Sequence, residues 1–154
     1  MAVRILTTAK RVLPWLGGWL AFQLVGALVG RLVAVLLDRG DESSTQIRRV
    51  RTMGGLELAP TNPAVTRIEL DLGMAGAEID LTGLADTPGI DLTVRAVMGG
   101  LAVRVPPDWR VWSHFRGVGG IGTDGGLTRC HDEHNADLRV RAVALFGGIG
   151  VRAG

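Results

Sequence analysis

The feature that most restricts what this chain can fold into is a phrase that recurs along it: an alternating run, a glycine pair, then a second alternating run. The first copy spans residues 47–60 around Gly54-Gly55, and the second spans 68–81 around Gly73 and Gly76. The third spans 90–106 around Gly99-Gly100. A short fourth is Val118-Gly119-Gly120-Ile121-Gly122, and the last spans 138–152 around Gly147-Gly148. The glycine pairs recur at steps of about 20–28 residues, within the range of repeat architectures.

Alternation places every second side chain on one face of a strand. In the second copy Ile68, Leu70 and Leu72 point inward while Glu69 and Asp71 point out. In the third, Ile90, Leu92 and Val94 point inward while Asp91, Thr93 and Arg95 point out. Gly54, Gly55, Gly99, Gly100, Gly147 and Gly148 are then corners, because glycine tolerates positive φ and close backbone approach. One such unit cannot bury its apolar face, whereas stacked units bury a continuous core and pair one another's edges. Pro60, Pro63, Pro88, Pro106 and Pro107 fall between the strands, where no ladder N–H is needed. No helical period of useful length follows residue 40. The expected fold is all-β, a β-solenoid or β-helix-like stack of four to five rungs over 47–154. A β-sandwich is the alternative that short alternating strands also suit.

The segment before the repeats differs in kind. Residues 12–30 carry no charge, and after Arg31 the apolar run resumes through Leu37. At 1.5 Å per residue such a stretch can cross a bilayer core of about 30 Å. Trp15 and Trp19 suit a headgroup region, and Lys10 and Arg11 stand just before the run. Residues 1–37 therefore read as one transmembrane anchor, and 38–46 as a polar linker. A cleaved signal peptide fits less well: the run exceeds a usual h-region and has no clear A-x-A-like site. The protein is expected in the cell membrane as a single-pass chain. Arg4, Lys10 and Arg11 on one side nearly balance Arg39, Arg48, Arg49 and Arg51 on the other. A short basic tail is usually kept in the cytoplasm, which tips the β domain toward the extracytoplasmic side. Gly26 and Gly30 form a G-x-x-x-G pair, a candidate face for a second helix, with Gln23 one turn earlier; lipid-facing glycines are the alternative.

Charge narrows the partners. Five of the 17 basic residues (Arg4, Lys10, Arg11, Arg31, Arg39) precede residue 40, against Asp38 alone. The remainder holds 12 arginines against 14 carboxylates, interleaved along the strands. It lacks the basic stripe that phosphate binding requires, so nucleic acid is not an expected partner. The single cysteine excludes an intrachain disulfide framework.

Three groups could carry chemistry or binding. Gly117 to Gly122 spells G-x-G-x-x-G, but turn-forming residues follow where a dinucleotide loop must open a helix. Cys130, His131 and His134, with Asp132, Glu133 and the distant His114, hold donors of the kind that bind zinc. Neighbours in a strand point to opposite faces, so convergence requires a loop there. A polar loop before the last repeat is the alternative reading. No cofactor and no catalytic residue are expected. Trp109 and Trp112, with Phe115, are candidate interaction residues for a protein, lipid or glycan. The competing reading is that they close one end of the stack, as aromatics beside a break in a repeat often do.

The phrases at 96–111 (AVMGGLAVRVPPDWRV) and 138–152 (LRVRAVALFGGIGVR) resemble the C-terminal domain of the LiaF family of bacterial cell-envelope stress-response proteins. The shared pattern is an alternating strand, a Phe/Met-Gly-Gly corner and a second strand, with a Val-Pro-Pro-x-Trp continuation. Val105-Pro106-Pro107-Asp108-Trp109 and Phe146-Gly147-Gly148 match it, and the likeness covers about residues 47–152. It implies a membrane-associated β-solenoid that senses or modulates, in some members by restraining a sensor histidine kinase. This chain shows one apolar span where the family has several. The expected function is a non-enzymatic, membrane-anchored interaction or sensor module in envelope stress signalling. Its partners are membrane lipid, a sensor kinase or other membrane protein, or further copies of itself as a homo-oligomer. The alternatives are a self-associating structural scaffold and a metal-dependent hydrolase built on Cys130–His134.

Overall fold

The computed structural model describes residues 24–26 and 28–154. Residues 24–26 and 28–37 are helical (α1). Six strands follow: β1 (Gln46–Leu58), β2 (Arg67–Asp80), β3 (Ile90–Val105), β4 (Arg110–Asp124), β5 (Thr128–Arg129) and β6 (Leu138–Ala153). Two single-turn 3-10 helices, Thr82–Leu84 and Glu133–Asn135, lie in the connections. The strands form one sheet in the order β1-β2-β3-β6-β4-β5, every neighbouring pair parallel. The protein is thus mostly β, as the alternation predicts. The single parallel sheet departs from the antiparallel layers of a sandwich.

The order holds a surprise. The last repeat is not the last rung: β6 lies between β3 and β4. Its two arms explain the placement. Leu138, Val140, Ala142, Ile149 and Val151 are all buried, so β6 suits an interior rung. On β4 the residues registered with Val140 and Val151 are Ser113 and Thr123, which suit an end.

Each long strand has two arms facing the same core. In β2 the buried residues are Ile68, Leu70 and Leu72, then Ala75, Ala77 and Ile79. The inward parity changes from even to odd across Gly73-Met74, so the strand turns there without losing its alternation. The same change separates Ile90, Leu92 and Val94 from Leu101, Val103 and Val105 in β3. Between the arms lie the aligned glycines: Gly99 pairs with Gly147 and Gly147 with Gly119, while Gly100, Gly148 and Gly120 form the next row. A Cβ on Gly147 would collide with the carbonyl oxygen of Gly99, so a larger residue does not fit at that position. The third side of the core is closed by connecting segments through Val65, Leu81, Leu84 and Trp109. In the row Ile68–Leu92–Val140 all three side chains are fully buried. Each contributes about 1.5–3 kcal/mol of apolar burial, an upper bound against a compact unfolded chain.

The two ends differ. At β1 the inward positions registered with Leu70 and Leu72 hold Arg49 and Arg51. Their charges are met by the preceding segment. Arg49 donates to the carbonyls of Arg39 and Gly40, and Arg51 pairs with Asp38 at 2.8 Å. The Asp38 carboxylate also accepts the Val50 N–H at 2.7 Å, and Arg39 forms an antiparallel bridge with Arg48. Inward charge and a covered edge both discourage another strand from pairing there. Of residues 38–46, expected as a linker, Asp38, Arg39 and Gly40 are docked on β1, and Gln46 begins that strand. At the far end β5 pairs only with Arg110 and Val111, so β4 is bonded on one side from Trp112 onward. Leu127 packs against the core from the returning loop.

Among the described residues no helix is long and apolar enough to cross a membrane. Most of the expected anchor, residues 1–23, and Ala27 lie outside the described residues.

Candidate interaction surface

The residue that enters each corner is large, apolar and exposed. Met53 registers with Met74, Met74 with Met98, Met98 with Phe146, and Phe146 with Val118. Met74 is 60% exposed, Met98 50% and Phe146 56%. Parallel neighbours are about 4.8 Å apart, so the five side chains make a ridge about 19 Å long. Val97, Val143 and Leu145 widen it on the first-arm side and are also exposed. On the second-arm side lies the row Gly55, Gly76, Gly100, Gly148 and Gly120, which offers no side chains. The ridge therefore stands clear of its surroundings. Among the described residues, every exposed large apolar side chain lies either in this strip or on α1. A patch this ordered is a candidate interaction site, distinct from singly scattered surface apolarity.

The outward face of the first arms carries the charged ladders expected from the alternation. Asp71 lies between Arg48 (2.7 Å) and Arg95 (3.2 Å). Asp91 lies between Arg139 (2.6 Å) and Arg141 (3.4 Å), and Arg141 also pairs with Glu133. Hydrogen bonding from Arg139 is the main reason the Asp91 carboxyl is held below the usual carboxylate range; desolvation opposes it and the charges of Arg139 and Arg141 add to it. Hydrogen bonding from Arg110 does the same for Asp137. On the second-arm face Glu78 pairs with Arg104 at 2.6 Å and lies 3.7 Å from Arg152. These pairs are part-exposed, so each is worth about 0–1 kcal/mol and their value lies in patterning the surface.

The two tryptophans part company. Trp109, expected among the interaction residues, is 4% exposed and donates from Nε1 to the Ala85 carbonyl at 3.3 Å. It closes the core instead, because an indole beside the Pro-Pro break covers the third side of the rungs. Trp112 is on the outward face, stacked on His114 at 6.2 Å with the Arg141 guanidinium 5.6 Å from its ring. The G-x-x-x-G face is also partly spent within the chain. Gly30 is buried against Thr52 of β1, where an added Cβ would collide with the threonine Oγ1. Gly26, Gly30 and Ala34 line a groove of about 520 Å³ with Arg51, Thr52 and Met53.

The donors at Cys130–His134 do not converge. Among the described residues no three His, Cys, Asp or Glu side chains meet as a metal site. Cys130 Sγ donates to the Asp132 carbonyl, and Asp132 caps the short Glu133–Asn135 turn by accepting the His134 N–H. The segment is a polar loop held by its own hydrogen bonds, including Asn135 Nδ2 to the Asp132 carboxylate at 2.6 Å. Gly117 to Gly122 lies within β4 and opens no helix. The ridge was visible in the sequence as the Met or Phe before each glycine corner. Alternation alone does not orient these residues, because the inward parity changes at the corner itself. Comparison with protein-family models, curated proteins and solved structures finds no match for this chain.

Proposed function

We propose that this chain is a membrane-tethered, non-enzymatic interaction module of LiaF-like type, serving bacterial cell-envelope stress signalling from a compact five-rung β-solenoid. The observation that carries the reading is the ridge Met53–Met74–Met98–Phe146–Val118, a binding strip that only in-register stacking creates. Beside it, the phrases behind the family resemblance have structural work. Phe146-Gly147-Gly148 stacks on Met98-Gly99-Gly100 at the corner, and Trp109 of the Val-Pro-Pro-Asp-Trp phrase seals the core. The core is filled, and the strip and ladders are surfaces for recognition rather than a pocket for chemistry. The partner is a sensor kinase or another envelope membrane protein, with the β domain outside the cytoplasm.

One observation favours a second reading, a self-associating scaffold. β4 offers an edge bonded on one side from Trp112 to Asp124, a template for a strand from another copy. Crosslinking of the full chain in intact membranes, with the products identified by mass spectrometry, decides between them. A reproducible product with a sensor kinase or envelope protein supports the first reading. Products containing this chain alone support the scaffold, and products with neither refute both.

A further inference from the structure

We infer that the apolar corner is itself a lipid contact, laid on the same bilayer that holds the N-terminal segment. The inference rests on the tether reading and adds a second, separate membrane contact to it.

The path of the chain supplies the argument. Walking back from β1, Arg39 bridges Arg48, Asp38 holds Val50 and Arg51, and Gly30 is against Thr52. Each step toward the N-terminus moves along β1 toward its corner, where Met53 and Gly54 stand. The chain that precedes Leu24 is therefore joined to the domain on the corner side. The residues that precede Leu24 are uncharged from Val12 onward. A bilayer holding them lies on the side toward which the corner points.

The chemistry of the corner suits that surface. Methionine and phenylalanine side chains reach into the headgroup and acyl boundary, and the glycine row beside them leaves nothing to hold a flat surface away. Val35 of α1 lines the groove beside Met53, and Leu28, Val29 and Leu32 of the same helix are exposed apolar residues too. Basic side chains stand beside the strip: Arg31 lines the groove between α1 and the corner, and the row beyond the ridge holds Arg116 and Arg95, the latter paired with Asp71 at 3.2 Å. Arginine at the rim of an apolar strip favours anionic headgroups.

The test uses the full chain in vesicles of equal parts phosphatidylethanolamine and phosphatidylglycerol. In a Cys130→Ser background, single cysteines at Met74→Cys, Met98→Cys, Phe146→Cys and Asp108→Cys carry an environment-sensitive fluorophore. Asp108 is exposed in the β3–β4 connection, on the side of the core away from the corner. Lipid-borne nitroxide is expected to quench the three corner labels several-fold more than the label at 108. Photolabelling of the unmodified chain with a lipid-dissolved diazirine gives the same answer without substitutions, with adducts expected at Met53, Met74, Met98 and Phe146. If the chain floats with the vesicles but corner labels behave like that at 108, the lipid contact is wrong and the tether stands. If the chain does not float, the tether and the contact fall together. Label–label contact at the corner without lipid quenching assigns the strip to a second copy and also overturns the inference.

Discussion

Two adjacent glycines give the sharpest test of the corner. A Cβ at Gly147 meets the Gly99 backbone, with the carbonyl carbon at 3.2 Å and the oxygen closer still. Gly99 belongs to β3, whose β2 and β6 neighbours hold it on both sides, so no rotamer can yield. A Cβ at Gly148 meets only the Gly120 carbonyl at 3.7 Å, an ordinary contact. Neither glycine has positive φ, so backbone conformation does not blur the comparison. Overpacking costs about 1–3 kcal/mol, and a rigid backbone neighbour puts Gly147→Ala at the upper end. Alanine stiffens the unfolded chain by about 0.4–1 kcal/mol in both variants. The net expectation is about 2–2.5 kcal/mol lost for Gly147→Ala, and a change within about 1 kcal/mol for Gly148→Ala. At about 4 °C per kcal/mol the first melts about 8–10 °C early and the second near wild type. Circular dichroism melts of the full chain in mild detergent, with urea titrations beside them, measure both. Equal melting of the two variants, or a worse Gly148→Ala, refutes the stacked corner.

Further predictions follow from the core, the tryptophans and the ladders. Leu92→Ala, at a fully buried site between Ile68 and Val140, is expected to cost about 2–5 kcal/mol in urea titration. Trp109→Ala costs about 3–5 kcal/mol by the same assay, whereas Trp112→Ala, which loses mainly an exposed cation–π contact, costs about 0.5–1 kcal/mol. Asp91 has its folded pKa depressed by Arg139, so its contribution is present above the unfolded value of about 3.9 and is lost as pH falls through the lower folded value. Asp91→Asn is therefore less stable than wild type at neutral pH. The gap between their urea midpoints should close on acidification below the usual carboxylate range; a constant gap contradicts the pairing.

The parts of this fold legible in the sequence are those set by local period. Alternation fixes which of Ile68 to Leu72 and Ile90 to Arg95 face inward, and the glycine pairs mark the turns. The outward ladder of Asp71, Asp91, Arg95, Arg139 and Arg141 follows from the same alternation. Rung order is different, because parallel pairing is non-local. Any rung with the right period can stack on any other once its connection is long enough, and residues 125–137 are long enough to carry β6 back past β4. The inward Ser113 and Thr123 were the available clue that β4 is an end rung. Arg49 and Arg51 were the matching clue at β1: a charge at an inward position belongs where an edge must be shielded. Trp109 was ambiguous because amphipathic indoles suit either core or surface. Gly30 was ambiguous because a small residue permits close approach by any partner, and here that partner is Thr52.

The central claim is that the corners stack in register with the last repeat inserted between the third and fourth. Paired cysteines in a Cys130→Ser background test it directly. Neighbouring rungs put Cα atoms about 4.8 Å apart, within disulfide reach, while two rungs put them about 10 Å apart, beyond it. Met98→Cys with Phe146→Cys, and Phe146→Cys with Val118→Cys, should therefore oxidise to intrachain disulfides, and Met98→Cys with Val118→Cys should not. Ready closure of the 98–118 pair together with failure of the 98–146 pair would contradict the account.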